Sequence, residues 1–231
     1  MELAEFPFDI QDISVLVTSE LKEEEVELVE DEHLLSVVDT HTFSDEQEWM
    51  LHNYVTTEPK TLLETEFTQF THSKPGLFFK CCAERRSGFF VWNIMFVMSV
   101  ISALSLVTFA VDRALPQNRI QLSFILVLAG VTFKFVASQA VPRISYLTHL
   151  DRYILTLMIF LFLVAVWHGV VTLFDYSNDL QKTMDFWAFI GFIILFVLIV
   201  IISVVFMSIK GYKRRSDVLQ NEQDYLVRIQ C

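Results

Sequence analysis

The sequence predicts a mixed fold in which short β-strands with one buried face precede a bundle of four membrane-crossing helices. Two observations carry that prediction. Hydrophobic residues make up 53% of the 231-residue chain and the mean hydropathy is +0.46, above the range of ordinary soluble domains. Between Gly88 and Lys210 those residues gather into long runs, whereas before Gly88 they alternate with polar residues over short stretches.

The first part reads as strands. ISVLVTSE, LLSVVDTHTF and EWMLHNYVTT alternate apolar and polar side chains, and EPK and SKPG supply turn chemistry. Acidic residues concentrate here and account for most of the net charge of -11, a solvated negative face that argues against nucleic acid as a partner. The opening MELAEFPFD lacks both the basic start and the apolar core of a secretory signal peptide. Cys81, Cys82 and Cys231 make no disulfide framework, because adjacent cysteines meet the geometry of the bond only under strain.

The second part reads as helices. A hydrocarbon core ~30 Å thick is crossed by about 20 helical residues. Runs at 89–110, 120–141, 153–174 and 186–209 meet that length with few charges, and the loops VDRALPQNR, PRISYLTHLDR and DYSNDLQKTMD are short enough to make them neighbours. The chain thus divides into strands at 1–87, helices at 88–209 and a C-terminal tail at 210–231. The sequence holds no metal-ligand spacing, nucleophile motif or phosphate loop, which points away from an enzyme and calls for no cofactor.

The second run, IQLSFILVLAGVTFKFVASQAVP, is apolar enough to span yet carries Gln121, Ser123, Thr132, Lys134, Ser138 and Gln139. At about 100° per residue, Gln121, Ile125, Leu128, Thr132, Phe135 and Gln139 fall within ~40° of one line, a narrow stripe with polar ends. Such a stripe serves either ordinary helix packing or, repeated around an axis, a pore whose apolar rings gate by dewetting. Lys134 projects at about 220° on the same wheel, beside Ser123 at about 200°, so it lies off the stripe. An intramembrane lysine costs at least ~2.5 kcal/mol, and it either stretches to the interface or meets water and acceptors in a cavity. His168, in the third run, has no second ligand at helical spacing and reads as a hydrogen-bonded interior residue.

In chain order, EFPFDIQD at 5–12, ERRSGFFVWNI at 84–94, the striped helix at 120–141 and VPRISYLTHLDRYI at 141–154 resemble the pentameric ligand-gated ion channels, the Cys-loop receptor family of nicotinic, glycine and GABA receptors. Phe6, Pro7, Phe8, Asp9 and Gln11 match the signature loop at the base of the family's extracellular β-sandwich. Arg85, Arg86, Gly88, Phe89, Phe90 and Asn93 match the opening of its first membrane helix. Arg119, Leu128, Pro142, Arg143, Ser145, Tyr146 and Asp151 fall at the basic start, the midpoint and the exit of its pore-lining helix and at the start of the next.

The resemblance implies that 1–87 is the C-terminal part of an extracellular, antiparallel ligand-binding β-sandwich and 88–209 a four-helix transmembrane channel domain. The chain would be a multi-pass subunit of a homo- or hetero-pentamer in the plasma membrane, surrounded by lipid. It would conduct inorganic ions passively, gated by a small-molecule ligand at the extracellular domain. Gln121, Ile125, Leu128, Thr132, Phe135 and Gln139 would line the pore, with Asn118 and Arg119 at its inner mouth. Phe6, Pro7, Phe8, Asp9, Arg85, Pro142, Arg143, Ser145 and Tyr146 would couple the binding domain to the pore, and Lys134 would border a modulator cavity behind it. The alternative for Asp9 and Arg85 is a plain surface ion pair, worth about 0–1 kcal/mol.

Departures from the family are visible. The chain corresponds to the last part of a family member and so reads as truncated at its N-terminus. Ile13 stands where the loop's second cysteine would fall, and Val97 where the first helix usually has a proline. Residues 54–70 span the expected capping hairpin without a vicinal cysteine pair. Gln117 and Asn118 supply no acidic ring at the inner mouth, which tilts selectivity toward anions. The family sets both termini outside the cell. The positive-inside rule sets them inside, counting Lys80, Arg85, Arg86, Arg143, Arg152, Lys210, Lys213, Arg214 and Arg215 against Arg113, Arg119 and Lys182. A function of another class stays open, a non-conducting four-helix membrane protein acting as an assembly partner or truncated regulatory subunit.

Overall fold

A computed structural model describes residues 3–31, 36, 38, 43–65, 71–112, 115–141, 145–173 and 178–230, with backbone alone at 61–65, 71–73, 173, 178–181, 210, 214, 226 and 228–230. The stretch LLSVVDTHTF and the tip of the expected capping hairpin, 66–70, fall largely or wholly outside those residues. Two compact units divide the chain: Phe8–Arg86 with Gly211–Cys231, and Leu3–Pro7 with Ser87–Lys210.

The first unit is built on a three-stranded antiparallel sheet in which β1 (Ile10–Thr18) and β2 (Trp49–Thr65) both pair with the central β3 (Thr71–Arg85). Register runs from Ile10 opposite Glu84 to Thr18 opposite Gly76, and from Trp49 opposite Arg85 to Thr65 opposite Thr71. A bulge between Leu51 and Val55 breaks the second ladder. Gly76 is dictated by a close approach, since a Cβ there would meet Lys60 O at 2.8 Å. The alternation in the sequence does mark strands, but its apolar side is only partly covered. Ile10 is buried, whereas Ile13, Val15, Leu16 and Val17 of edge strand β1 stay exposed. Among the described residues, the cover over this sheet comes from a helix: Val218 packs with Ile10, Cys82 and Tyr54.

The second unit holds the membrane-crossing helices. These are α1 (Gly88–Ala110), α2 (Pro116–Ala140), α3 (His149–Leu173) and α4 (Asn178–Gln230). The helix α1 opens with a π-helical stretch at Val91–Phe96 and ends in a 3-10 turn at Thr108–Ala110. Both α2 and α3 start earlier than the apolar runs, because hydropathy marks the hydrocarbon-crossing stretch and not the polar first turn. Proline at the first position starts α2. A reciprocal Thr148–Asp151 box starts α3: Asp151 N donates to Thr148 Oγ1 at 3.0 Å and Thr148 N to Asp151 Oδ2 at 3.2 Å. The apolar part of α4 ends at Ile209 as expected, but the helix continues through the tail, whose Lys, Arg, Gln, Glu and Leu are good helix formers. From Gly211 onward it groups with the sheet.

Met98, Leu150, Leu157, Leu161 and Val164 form the centre of the bundle, each 0–2% exposed. Phe160 stacks edge-on against Phe192 and leans on Phe196, tying α3 to α4. Hydroxyls in the helices are satisfied locally: Ser102 donates to Met98 O and Ser105 to Ser102 O. Thr108 donates to Ser105 O, so its oxygen accepts from His168 Nε2 at 2.7 Å. His168 is therefore an interior hydrogen-bonded residue, packed 4.5 Å from the Phe109 ring.

Candidate functional site

The helix α2 has two faces set by side-chain size. Ser123, Gly130 and Ala137 are buried with Arg119, and at 3.6 residues per turn they lie about 180° from the stripe that starts at Gln121. Small residues at this spacing let neighbouring backbones approach, and a Cβ on Gly130 would lie 2.9 Å from Leu161 Cδ1 and 3.5 Å from Met98 Cε. All six stripe residues are exposed in the single chain; Leu128 and Phe135 are each 66% exposed. The remaining polarity of this helix has a local explanation. Ser123 donates to Arg119 O, Thr132 to Leu128 O and Ser138 to Phe135 O, so these hydroxyls need no external partner. Lys134 is half-buried beside the small-residue face.

The start of α2 is held by a buried ion pair. Asn118 is exposed, but Arg119 turns into the bundle and is 5% exposed. Its Nη1 atom donates to Asp185 Oδ2 at 2.8 Å, and its other nitrogens to Val111 O at 2.9 Å and Phe109 O at 2.7 Å. The last carbonyls of α1 have no partner within their own helix, so the guanidinium fork caps them while Asp185 balances its charge. Trp167 Nε1 also donates to Asp185, at 3.4 Å. Arg119 therefore ties together α1, α2 and α4. Asp185 escaped sequence reasoning because it stands one residue before the fourth apolar run; a lone acid at a span's end is the signal that marks it. Beside it, α1 and α4 leave an apolar recess of about 440 Å³ lined by Leu106, Val107, Phe109, Phe186, Phe189 and Ile193.

At the other end, Leu3–Pro7 serves the start of α3. His149 N donates to Ala4 O and Leu150 N to Phe6 O, both at 3.3 Å, which satisfies two amides that no helical carbonyl can reach. Leu3 N donates to Tyr146 Oη at 2.8 Å. Phe6 is fully buried edge-on to Phe90, with ring centres 4.5 Å apart. Ser145 is exposed, and Pro142 and Arg143 lie outside the described residues.

Asp9 and Arg85 meet inside the sheet unit. Arg85 Nε donates to Asp9 Oδ1 at 2.8 Å, Arg85 N to Asp9 O at 3.2 Å, and Gln11 Nε2 to Asp9 Oδ2 at 3.2 Å. Arg85 also lies 4.0 Å from the centre of the Trp49 ring. Asp9 is 0% and Arg85 8% exposed, so the surface-pair alternative does not describe them. Sequence reasoning missed a second polar cluster in this unit, around His52, because its members are far apart in the chain. His52 Nδ1 lies 3.0 Å from Glu222 Oε2 on α4.

Residues 99–189 match the family model described as the neurotransmitter-gated ion-channel transmembrane region. Over 101 residues the chain is 27% identical to the gamma-aminobutyric acid receptor subunit gamma-1 of Rattus norvegicus, a match covering 44% of this chain and 22% of that one. Over 122 residues it is 28% identical to the subunit of the same name from Homo sapiens, covering 50% and 26%. The chain thus spans about a quarter of the length of the curated relatives it matches.

Proposed function

We propose that the chain, whose residues 99–189 match the neurotransmitter-gated ion-channel transmembrane region, is a member of that family and a subunit of a pentameric ligand-gated channel whose α2 helix lines the pore. That family is one of ion channels and not of enzymes. One observation carries the proposal: α2 packs on α1 and α3 through Ser123, Gly130 and Ala137, leaving the opposite stripe of Gln121, Ile125, Leu128, Thr132, Phe135 and Gln139 uncovered by its own chain. Five such stripes around an axis enclose water at their glutamine ends and place apolar rings between them. Leu128, at the middle, is the gate by dewetting.

Coupling then falls to two buried contacts. The Asp9–Arg85 pair fixes the strand end that leads into α1, and Leu3–Pro7 caps α3 next to Tyr146. Both flanks of the membrane domain stand on one side of the bilayer: four spans return the chain to its starting side, and 211–231 shares a compact unit with the sheet. Following the family, that side is extracellular. Exposed Asn118 and Gln117 leave the inner mouth without acidic residues and favour anions.

The test is ionic current from the chain expressed alone in oocytes. Conduction with a Leu128→Thr variant that opens more readily and closes more slowly supports the pore role. A second reading, a non-conducting assembly partner, draws on the exposed Ile13, Val15 and Val17 of β1, which await cover. It is the outcome if the chain reaches the surface, passes no current alone and alters the currents of co-expressed family members.

A further inference from the structure

Outside the pore helix, the most unusual polar group is His52. It sits in the bulge of β2, 3% exposed, between the sheet and the last part of α4. Glu222 of α4 accepts from both the ring and the backbone there: His52 Nδ1 is 3.0 Å from its Oε2, and Asn53 N donates to its Oε1 at 3.1 Å. A carboxylate only accepts, so Nδ1 carries a proton. In the neutral ring Nε2 is then a bare lone pair, and it faces Glu84 Oε2 of β3 at 3.7 Å. Both atoms are buried without a hydrogen-bond partner. The neutral ring therefore sets acceptor against acceptor.

We propose that His52 is a proton-operated latch, whose protonation fastens the C-terminal segment of α4 to the sheet by giving both flanking carboxylates a donor. A second proton on the ring points Nε2–H at Glu84 while Nδ1–H stays on Glu222, so one cation bridges β3 and α4. Losing that proton restores an unpaired buried acceptor pair and loosens the helix.

The surroundings favour a proton over other occupants. Among the described residues no three His, Cys, Asp or Glu side chains converge on a metal-sized site. Arg215 Nε of α4 lies 3.6 Å from Glu84 Oε2, so Glu84 keeps one cation partner when the ring is neutral and the latch weakens without opening fully. Tyr54 is 6.4 Å from the imidazole, and Cys81 Sγ donates to His52 O at 3.5 Å. Burial first and then Cys82 push the Tyr54 phenol up, and burial with Asp12 of β1 pushes the Cys81 thiol up. Both stay neutral through the range in which imidazoles ordinarily titrate. The latch lies wholly within the sheet unit and does not depend on the pore reading.

Hydrogen exchange of residues 211–225 in the full chain, held in detergent micelles and corrected for intrinsic rates, is the test. On acidification from about pH 8 to about pH 5, protection of that segment is expected to rise roughly five-fold, the change that one gained hydrogen bond supports. His52→Gln is expected to flatten the response. Glu84→Gln supplies an amide N–H to the bare Nε2, so it is expected to hold the segment protected at both pH values, an effect that a merely structural Glu84 would not produce. Protection that is flat or falls on acidification in the native chain overturns the latch. A native pH response retained in either variant overturns it as well.

Discussion

Arg85 and Arg119 are each buried against an aspartate, Asp9 and Asp185 respectively. Removing one member of a buried pair strands the other without solvent and costs about 3–5 kcal/mol, whereas exposed pairs are worth ~0–1 kcal/mol. Asp9→Arg and Arg85→Asp are each expected to abolish surface delivery. The double reversal is expected to recover part of it, held below native by the loss of the Gln11 bond to Asp9 and the Arg85 stack on Trp49. Surface biotinylation of the three variants measures this, and equal loss in all three counts against a coupled pair. The Asp9–Arg85 contact was legible because both residues sit in recognisable motifs. The Arg119 fork was not, since its partners are two backbone carbonyls and an aspartate from another helix, none of which a helical wheel displays.

Among the elements, α2 was read most completely. A wheel built from six residues described a face that packing against α1 and α3 leaves open, the packed side being the one with the small residues Ser123, Gly130 and Ala137. Its buried side was legible only in hindsight from Ser123, Gly130 and Ala137 at seven-residue intervals. At Gly130 even a Cβ would crowd Leu161 Cδ1 at 2.9 Å, and overpacking of this kind costs typically ~1–3 kcal/mol. Gly130→Leu is expected to lower the thermal unfolding midpoint of the detergent-solubilised protein well below that of Leu128→Thr, whose site is exposed. Similar midpoints for the two variants would place Gly130 off the packed face. Helix starts were less legible than helix cores. The Thr148–Asp151 box carries a sequence signature, but the capping of α3 by Ala4 and Phe6 joins segments over a hundred residues apart.

For the whole molecule, the order of strands then helices followed from the switch in hydrophobic periodicity, and the four spans from their length. The role of residues 210–231 did not. Polar composition suggests a tail, but the helix continues and Val218 finds an apolar seat on the sheet beside Ile10, Cys82 and Tyr54. That docking depends on an uncovered sheet surface, which is a tertiary property that no local pattern announces.

The pore assignment of α2 is tested most directly by cysteine accessibility along that helix. In a background with Cys81, Cys82 and Cys231 replaced, single cysteines at 117–140 are exposed to a membrane-impermeant thiol reagent from the extracellular side while current is recorded. A pore-lining α2 predicts irreversible block at 121, 125, 128, 132, 135 and 139, earliest at 139, with 123, 130 and 137 inert. Block on the 123, 130 and 137 face, or no position that alters conduction in cells that carry current, would contradict it.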